Sequence, residues 1–388
     1  MSFWPKKRIF LDYVSTTPID PQVQKAMNGY NAKFFANPSA LYGEALAAKE
    51  EIAKARARIA ELLNVQKNEI YFTSGGTEGN NIALLGIFEK YKKDGFVPHI
   101  VTTAIEHPAI LEVCSEIIRR GGEVTQVPVN EEGIVSPKDI LAAIKENTVL
   151  VSVMYANNEI GTIQPLHDIA RTIKDRKIKN KSELPYFHTD ACQASLLPLN
   201  IPKLGIDLLT LDGIKMYGPR GTGILYAKGI VEIMPAIFGG GQEKGLRSGT
   251  ENTASILGMK TALEVACDMR EKESMRLAEL RDYAIDEIVK NFKSATLNGS
   301  REMRLPNNVN ICFSGLDAEY AVIQLDVLGF AVSYSSSCRN LKEDSSSYVV
   351  KALGREECAE SSLRFTFGRE TEKGDIDALI AALKKIII

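Results

Sequence analysis

Two rhythms of apolar residues alternate along most of this chain. Between residues 44 and 64, EALAAKEEIAKARARIAELLN sets Ala, Ile and Leu three to four positions apart, the spacing of one helix face. Short β-rich runs then recur: EIYFTS, HIVTTAIEH, EVTQVPV, TVLVSVMYANNE, LPYFHTDAC, LLTLDG and TGILYAKG. Between several of them lie helical stretches, IALLGIFEKYKK, PAILEVCSEIIRRG and HDIARTIKDRK. Strands alternating with helices predict an α/β fold, a mainly parallel sheet of seven strands covered by helices. In such sheets ligands gather at the carboxyl ends of the strands. Near residue 250 the pattern changes to one long helical stretch, NTASILGMKTALEVACDMREKESMRLAELRDYAIDEIVKNF, followed by RLPNNVNICFSG and further short elements. The expected division is a large domain over 15–255 and a smaller α+β domain from 1–14 and 256–388.

Composition changes this picture little. Apolar residues make up 45% and charged residues 25%, an ordinary balance for a globular protein of 388 residues. A net charge of −2 gives no reason to expect nucleic acid or an anionic membrane as a partner. The basic run from Arg171 to Lys181 reads as a solvated helix end and loop. No apolar run is long enough for a signal peptide core or a membrane span, so a cytoplasmic location is expected. Six cysteines are scattered without a CxxC pair, which indicates neither a disulfide framework nor a zinc site. Cys114, Cys192, Cys267, Cys312 and Cys358 sit among apolar or helical neighbours and read as packing residues. Cys338 differs, because SYSSSCRNLKEDSSS is polar and serine-rich and predicts an exposed loop over about 333–347.

The chemistry-bearing residues fall where strands end. Lys215 lies between the apolar run LLTLDG and the turn YGPRG, a place where a desolvated amine becomes a nucleophile able to hold an aldehyde. Gly75, Gly76 and Thr77 precede a helix; they read either as a plain turn or as an amide cradle for phosphate. His107 is followed by Pro108, which fits the first helical position, and its ring reads as structural or catalytic. Asn157, Asn158 and Glu159 follow another strand. Asp190 ends the run PYFHTD with Gln193 three residues on, and a buried carboxylate there calls for a partner such as a protonated pyridine nitrogen. Phosphate cradle, imidazole, pyridinium partner and Schiff-base lysine on one rim are the parts of a pyridoxal phosphate site.

At this point the chain resembles the cysteine desulfurase family, in the class V aminotransferase group of fold-type I pyridoxal phosphate enzymes. The likeness is carried nearly end to end by LDYVSTTPID, FANPSA, YFTSGGTEGNN, AIEHPAI, NNEIGTIQP, HTDACQA, KMYGPRGTG, GGGQEKGLRSGTEN, SSSC, SYVVKALG and SLRFTFGRET. The long stretch from Cys338 to Tyr348 is similar to the housekeeping iron–sulfur and nitrogen-fixation branch. The resemblance implies that Lys215 forms the Schiff base and moves the Cα proton. It implies that His107 stacks on the ring, Asp190 pairs with its nitrogen, Gln193 bonds its hydroxyl, and Asn158 lies near that hydroxyl and the substrate carboxylate. Thr77 and the Gly76 amide would hold the phosphate, joined by Thr250 from a second subunit, so a homodimer is implied. Arg364 would bind the carboxylate of L-cysteine, and Asn37 would line the substrate channel. Cys338 would take the sulfur as a persulfide, leaving alanine. It would pass the sulfur to an iron–sulfur scaffold or a tRNA-thiolation relay, and it could ligate a cluster iron transiently; no other metal is expected.

Three positions depart from the family pattern. Asp212 and Ile214 stand where a serine and a histidine usually touch the phosphate. An aspartate there would repel a phosphate dianion unless it turned away or bound a cation. SSSC replaces a glycine-serine-alanine-cysteine order, and Tyr42 stands where histidine is common. Two other readings stay open: a selenocysteine lyase or related class V enzyme, and a non-catalytic relative with weakened cofactor binding that acts as a partner protein.

Overall fold

The computed structural model describes residues 8–334 and 346–387. The described chain begins with the short strand β1 (Ile9–Phe10) and the helices α1 (Pro21–Lys33) and α2 (Gly43–Leu63). Then come β2 (Ile70–Thr73), α3 (Gly76–Tyr91), β3 (His99–Thr103), α4 (Pro108–Arg119), β4 (Glu123–Val127), α5 (Pro137–Ala143) and β5 (Thr148–Ser152). The alternation continues through α6 (Leu166–Asn180), β6 (Tyr186–Asp190), α7 (Ile201–Leu204), β7 (Leu208–Asp212) and β8 (Gly223–Ala227). The expected seven strands form one sheet in the order β2-β8-β7-β6-β5-β3-β4. Only β8 runs against its neighbours; the other pairings are parallel.

Helices cover both faces of this sheet, so β3, β5, β6 and β8 are buried at every position. Polar side chains on these strands are satisfied across the sheet. His99 bonds Thr148 and Thr125, and His188 bonds Ser152 and Thr210. Burial pushes both imidazoles down to about 4, so they are neutral structural groups.

The long helix α8 (Thr253–Asn291) serves two cores. Its first half gives Ile256, Met259 and Leu263 to the core on the large sheet. Its second half gives Leu277, Ile285 and Ile288 to a separate core. That second core is built on β9 (Ala295–Leu297), β10 (Asn308–Phe313), α9 (Ala318–Val327), β11 (Phe330–Ala331), β12 (Ser362–Thr366) and α11 (Lys373–Ile386), while α10 (Tyr348–Ala352) packs in a smaller cluster with Ile105, Met154 and Ile160. Its antiparallel strands run β12-β10-β9, while β1 pairs with β11. The chain start therefore belongs with the second core, through Leu11.

One expectation is overturned. Cys312 on β10 and Cys358, read as packing residues, form a disulfide with a Cα–Cα separation of 5.3 Å. The two are 46 residues apart, and only folding brings them together. Cys338 and most of the predicted loop over 333–347 lie outside the described residues. The basic run from Arg171 to Lys181 is, as expected, the outer end of α6 and the residue beyond it.

Candidate active site

A cavity of about 210 Å³ opens at the carboxyl ends of β2, β3, β5, β6 and β7. Its wall brings together Gly76, Thr77, His107, Asn158, Asp190, Gln193, Lys215 and Arg364, eight residues expected to share one site. All but Arg364 lie at or just past the end of a strand of the large sheet, at the same edge. Gly75 makes the turn from β2 into α3 at φ 148°, a conformation that favours glycine. A Cβ on Gly76 would stand 2.6 Å from Cys192 Sγ, so no side chain fits where α3 begins.

Lys215 ends the single 3₁₀ turn Gly213–Lys215 that follows β7. Its Nζ donates to the carbonyls of Val14 at 2.9 Å and Ser15 at 2.6 Å. The amine is thus held at the cavity wall by neutral oxygens. Asp190, at the last position of β6, accepts from Asn80 Nδ2 at 2.6 Å and from the Cys192 amide at 3.0 Å. Gln193 Nε2 donates to Val14 O at 3.3 Å. His107 caps α4, its Nδ1 accepting from the Ala109 amide at 3.1 Å, which leaves the proton of the neutral ring on Nε2. Burial, first among its causes, lowers the pKa of this imidazole and favours that neutral form.

Arg364 on β12 crosses from the second core and is 1% exposed. Its guanidinium donates to Asn158 O at 3.2 Å, Asp12 Oδ1 at 2.9 Å and Ser15 Oγ at 3.0 Å. Its Nε has no hydrogen-bond partner among the described residues. A buried, oriented guanidinium with a spare donor suits a carboxylate. Asn158 is set by its neighbour: Asn157 Nδ2 donates to Ile105 O, and Asn157 Oδ1 accepts from the amides of Glu159 and Ile160.

Two expected residues stand apart. Thr250 is exposed and lines a different depression, with Arg247 and Thr222. Asn37 is exposed on a turn, accepting from the Ser39 amide at 3.0 Å. Asp212 departs from both outcomes expected of it. It does not turn away, and among the described residues it pairs with no cation: Oδ2 accepts from the Gly76 amide at 3.0 Å and Oδ1 from the Ile214 amide at 3.1 Å.

Sequence reasoning missed Asn80, the donor to Asp190; its signal was position, one turn into α3 from Gly76. It also missed Glu106, wholly buried beside His107, accepting from Thr103 Oγ1 and the Met154 amide. Burial pushes its carboxyl up to about 8.

The donor set fits pyridoxal phosphate at the ring end. Asp190 suits a pyridinium nitrogen, Lys215 an aldehyde carbon, the flat ring of His107 a stacked pyridine, and Arg364 the carboxylate of an amino acid. At the phosphate end the Gly76 amide and Thr77 are present, with the Asp212 carboxylate beside them.

Comparison with known proteins agrees. Residues 9–379 match the aminotransferase class-V family. Cysteine desulfurase IscS of Dictyoglomus turgidum is 41% identical over 98% of this chain and 95% of its own length. Cysteine desulfurase IscS of Clostridium botulinum is 42% identical over 98% of this chain and 94% of its own. The solved structure of a NifS-like protein superposes with a TM-score of 0.90 at 31% identity, covering 98% of this chain and 99% of that one.

Proposed function

The chain belongs to the aminotransferase class-V family and, within it, to the cysteine desulfurases, and from that membership we propose how its residues divide the work. It is a pyridoxal-phosphate-dependent enzyme that converts L-cysteine to L-alanine and carries off the sulfur. Bound pyridoxal phosphate supplies an aldehyde that takes amines covalently and a protonated ring that draws electrons from the substrate Cα.

Lys215 Nζ, held by the carbonyls of Val14 and Ser15, would be the group that holds the aldehyde, and freed from it would move the Cα proton of the substrate. Asp190, braced by Asn80, keeps the ring nitrogen protonated. His107 would lie against the ring face, and Gln193 and Asn158 would bond its hydroxyl. Gly76 and Thr77 hold the phosphate. Thr250, exposed and outside its own chain's cavity, reaches the phosphate of a second copy in a homodimer. Arg364 grips the substrate carboxylate through its spare donor. Asn37 borders the approach.

Cys338 thiolate attacks the substrate sulfur. A sulfur–sulfur bond forms as the carbon–sulfur bond breaks; the electron pair returns to carbon, which is protonated to alanine, and a persulfide remains on Cys338. The observation that carries this reading is the anchoring of the Cys338 segment at both ends. On one side Ser333 and Arg364 exchange main-chain hydrogen bonds. On the other, Ser347 Oγ donates to Glu159 and Tyr348 Oη donates to Glu106 O, each at 2.5 Å. One end is thus tied to Arg364 of the cavity wall and the other to Glu159 and Glu106, the chain neighbours of the wall residues Asn158 and His107. The persulfide then passes to an acceptor protein, an iron–sulfur scaffold or a tRNA-thiolation relay.

Alanine and sulfide release from L-cysteine with a reductant, run beside L-selenocysteine at equal concentration, tests the assignment. Turnover of L-cysteine to alanine is expected; alanine from selenocysteine alone would assign a selenocysteine lyase instead.

A further inference from the structure

Asp212 places a carboxylate where the cofactor's phosphate belongs. Its two oxygens hold the Gly76 and Ile214 amides, and the first of these opens the 16-residue helix α3, whose amino end favours an anion. Ideal Cβ positions on both Gly75 and Gly76 would lie 3.3 Å from Asp212 Oδ2, so the carboxylate sits flush on the turn. The protein's own anion therefore occupies the anion position.

Three ring positions set where the phosphate of pyridoxal phosphate would lie. Its phosphate arm is on the ring carbon beside the one that bears the aldehyde, the hydroxyl is on the other neighbour, and the ring nitrogen is on the far side. With the aldehyde at Lys215, the nitrogen at Asp190 and the ring hydroxyl on the Gln193 and Asn158 side, the phosphate points to the opposite wall, formed by Gly76, Thr77, Asp212 and Ile214. Ile214 offers no side-chain donor. A carboxylate and a phosphate dianion competing for one amide repel, whereas a carboxylic acid donates a hydrogen bond to a phosphate oxygen.

We propose that Asp212 is a proton-carrying member of the phosphate cradle: its carboxyl group shares one proton with the cofactor's phosphate, so that cofactor binding takes up a proton from solvent. This rests on the pyridoxal phosphate reading above and deepens it. Burial, the first of its causes, already raises the Asp212 carboxyl above the usual carboxylate range; Asp190 adds to this, while the Gly76 and Ile214 amides and Lys215 oppose it. The other titratable groups facing it are His107 at the head of α4 and the Cys192 thiol, the latter held well above its ordinary value and so neutral. The sign follows from linkage. The bound-state carboxyl is more basic than the free one, so affinity is full below the free ionisation and falls as pH rises above it.

The test is equilibrium binding of pyridoxal phosphate to the full chain stripped of cofactor, followed by absorbance at several pH values. Wild type is compared with Asp212→Asn, and with Asp212→Ser should the first fold poorly. The wild-type Kd is expected to rise with pH relative to the variant by up to about tenfold per pH unit. Calorimetry in buffers of different ionisation heat is expected to show up to one more proton taken up by wild type. Pyridoxal, which lacks the phosphate, should bind with the same pH course to both. Equal pH courses for pyridoxal phosphate, or an equal difference with pyridoxal, would overturn the proposal while leaving the cofactor reading intact. Absence of pyridoxal phosphate binding to wild type and variants alike would overturn both.

Discussion

Lys215 Nζ donates to the carbonyl of Ser15 at 2.6 Å, joining segments 200 residues apart. The chain start packs with the second core, so this contact brings the amine, the substrate-side Arg364 and the Asp12–Ser15 segment into one corner. Lys215→Ala is expected to keep the fold and to lose the cofactor's protein-bound absorption band. Alanine production should fall by roughly 10²–10⁴-fold. Circular dichroism and an absorption spectrum after adding pyridoxal phosphate check both parts.

Asn80 acts through Asp190. Removing its amide strips a charge-assisted hydrogen bond from a carboxylate that is 6% exposed. Asn80→Ala should cost about 1.5–3 kcal/mol of stability and lower kcat about tenfold. Asn80→Asp, which sets a like charge against Asp190, should be worse on both counts. Denaturant melts and steady-state rates on the two variants decide this.

Arg364 needs a conservative substitution. Arg364→Ala would leave Asp12 without its cation and destabilise the chain by about 3–5 kcal/mol, confounding any kinetic result. Arg364→Lys keeps the charge and loses the planar fork. KM for L-cysteine should rise roughly 10–100-fold with a smaller change in kcat. An unchanged KM would remove Arg364 from substrate binding.

Glu106 gives the fold a pH dependence. Its carboxyl is pushed up to about 8 by burial, above the unfolded value of about 4.3. The folded state then binds more protons than the unfolded one between those limits. Its contribution is therefore full below about pH 4 and is lost as pH rises through about 8. Glu106→Gln should flatten the fall in melting temperature between pH 5 and 8, in a series of thermal melts (~pH unit steps suffice).

Much of this was legible in the residues. Runs such as HIVTT and LLTLD read as buried strands because both faces of the sheet are covered, and the polar residues after them fell on one rim for the same reason. α1 went unread because its apolar face is thin: Val23 alone is fully buried, with Met27 and Tyr30 packed only partly against the core. GGTEGNN looked like a turn, yet α3 begins at Gly76, since the neighbouring Asp212 carboxylate caps its first amide from 136 residues away. That same contact was invisible in the sequence, where Asp212 read only as a misfit. The antiparallel direction of β8 and the Cys312–Cys358 bond are likewise set by packing across distant segments.

The most direct test compares wild type with Cys338→Ser. Both are given L-cysteine and a reductant, while sulfide, alanine and the cofactor's absorption band are measured. Wild type is predicted to release alanine and sulfide in equal amounts, and Cys338→Ser to keep the absorption band and release neither. Sulfide release by Cys338→Ser at the wild-type rate would contradict transfer through a persulfide on Cys338.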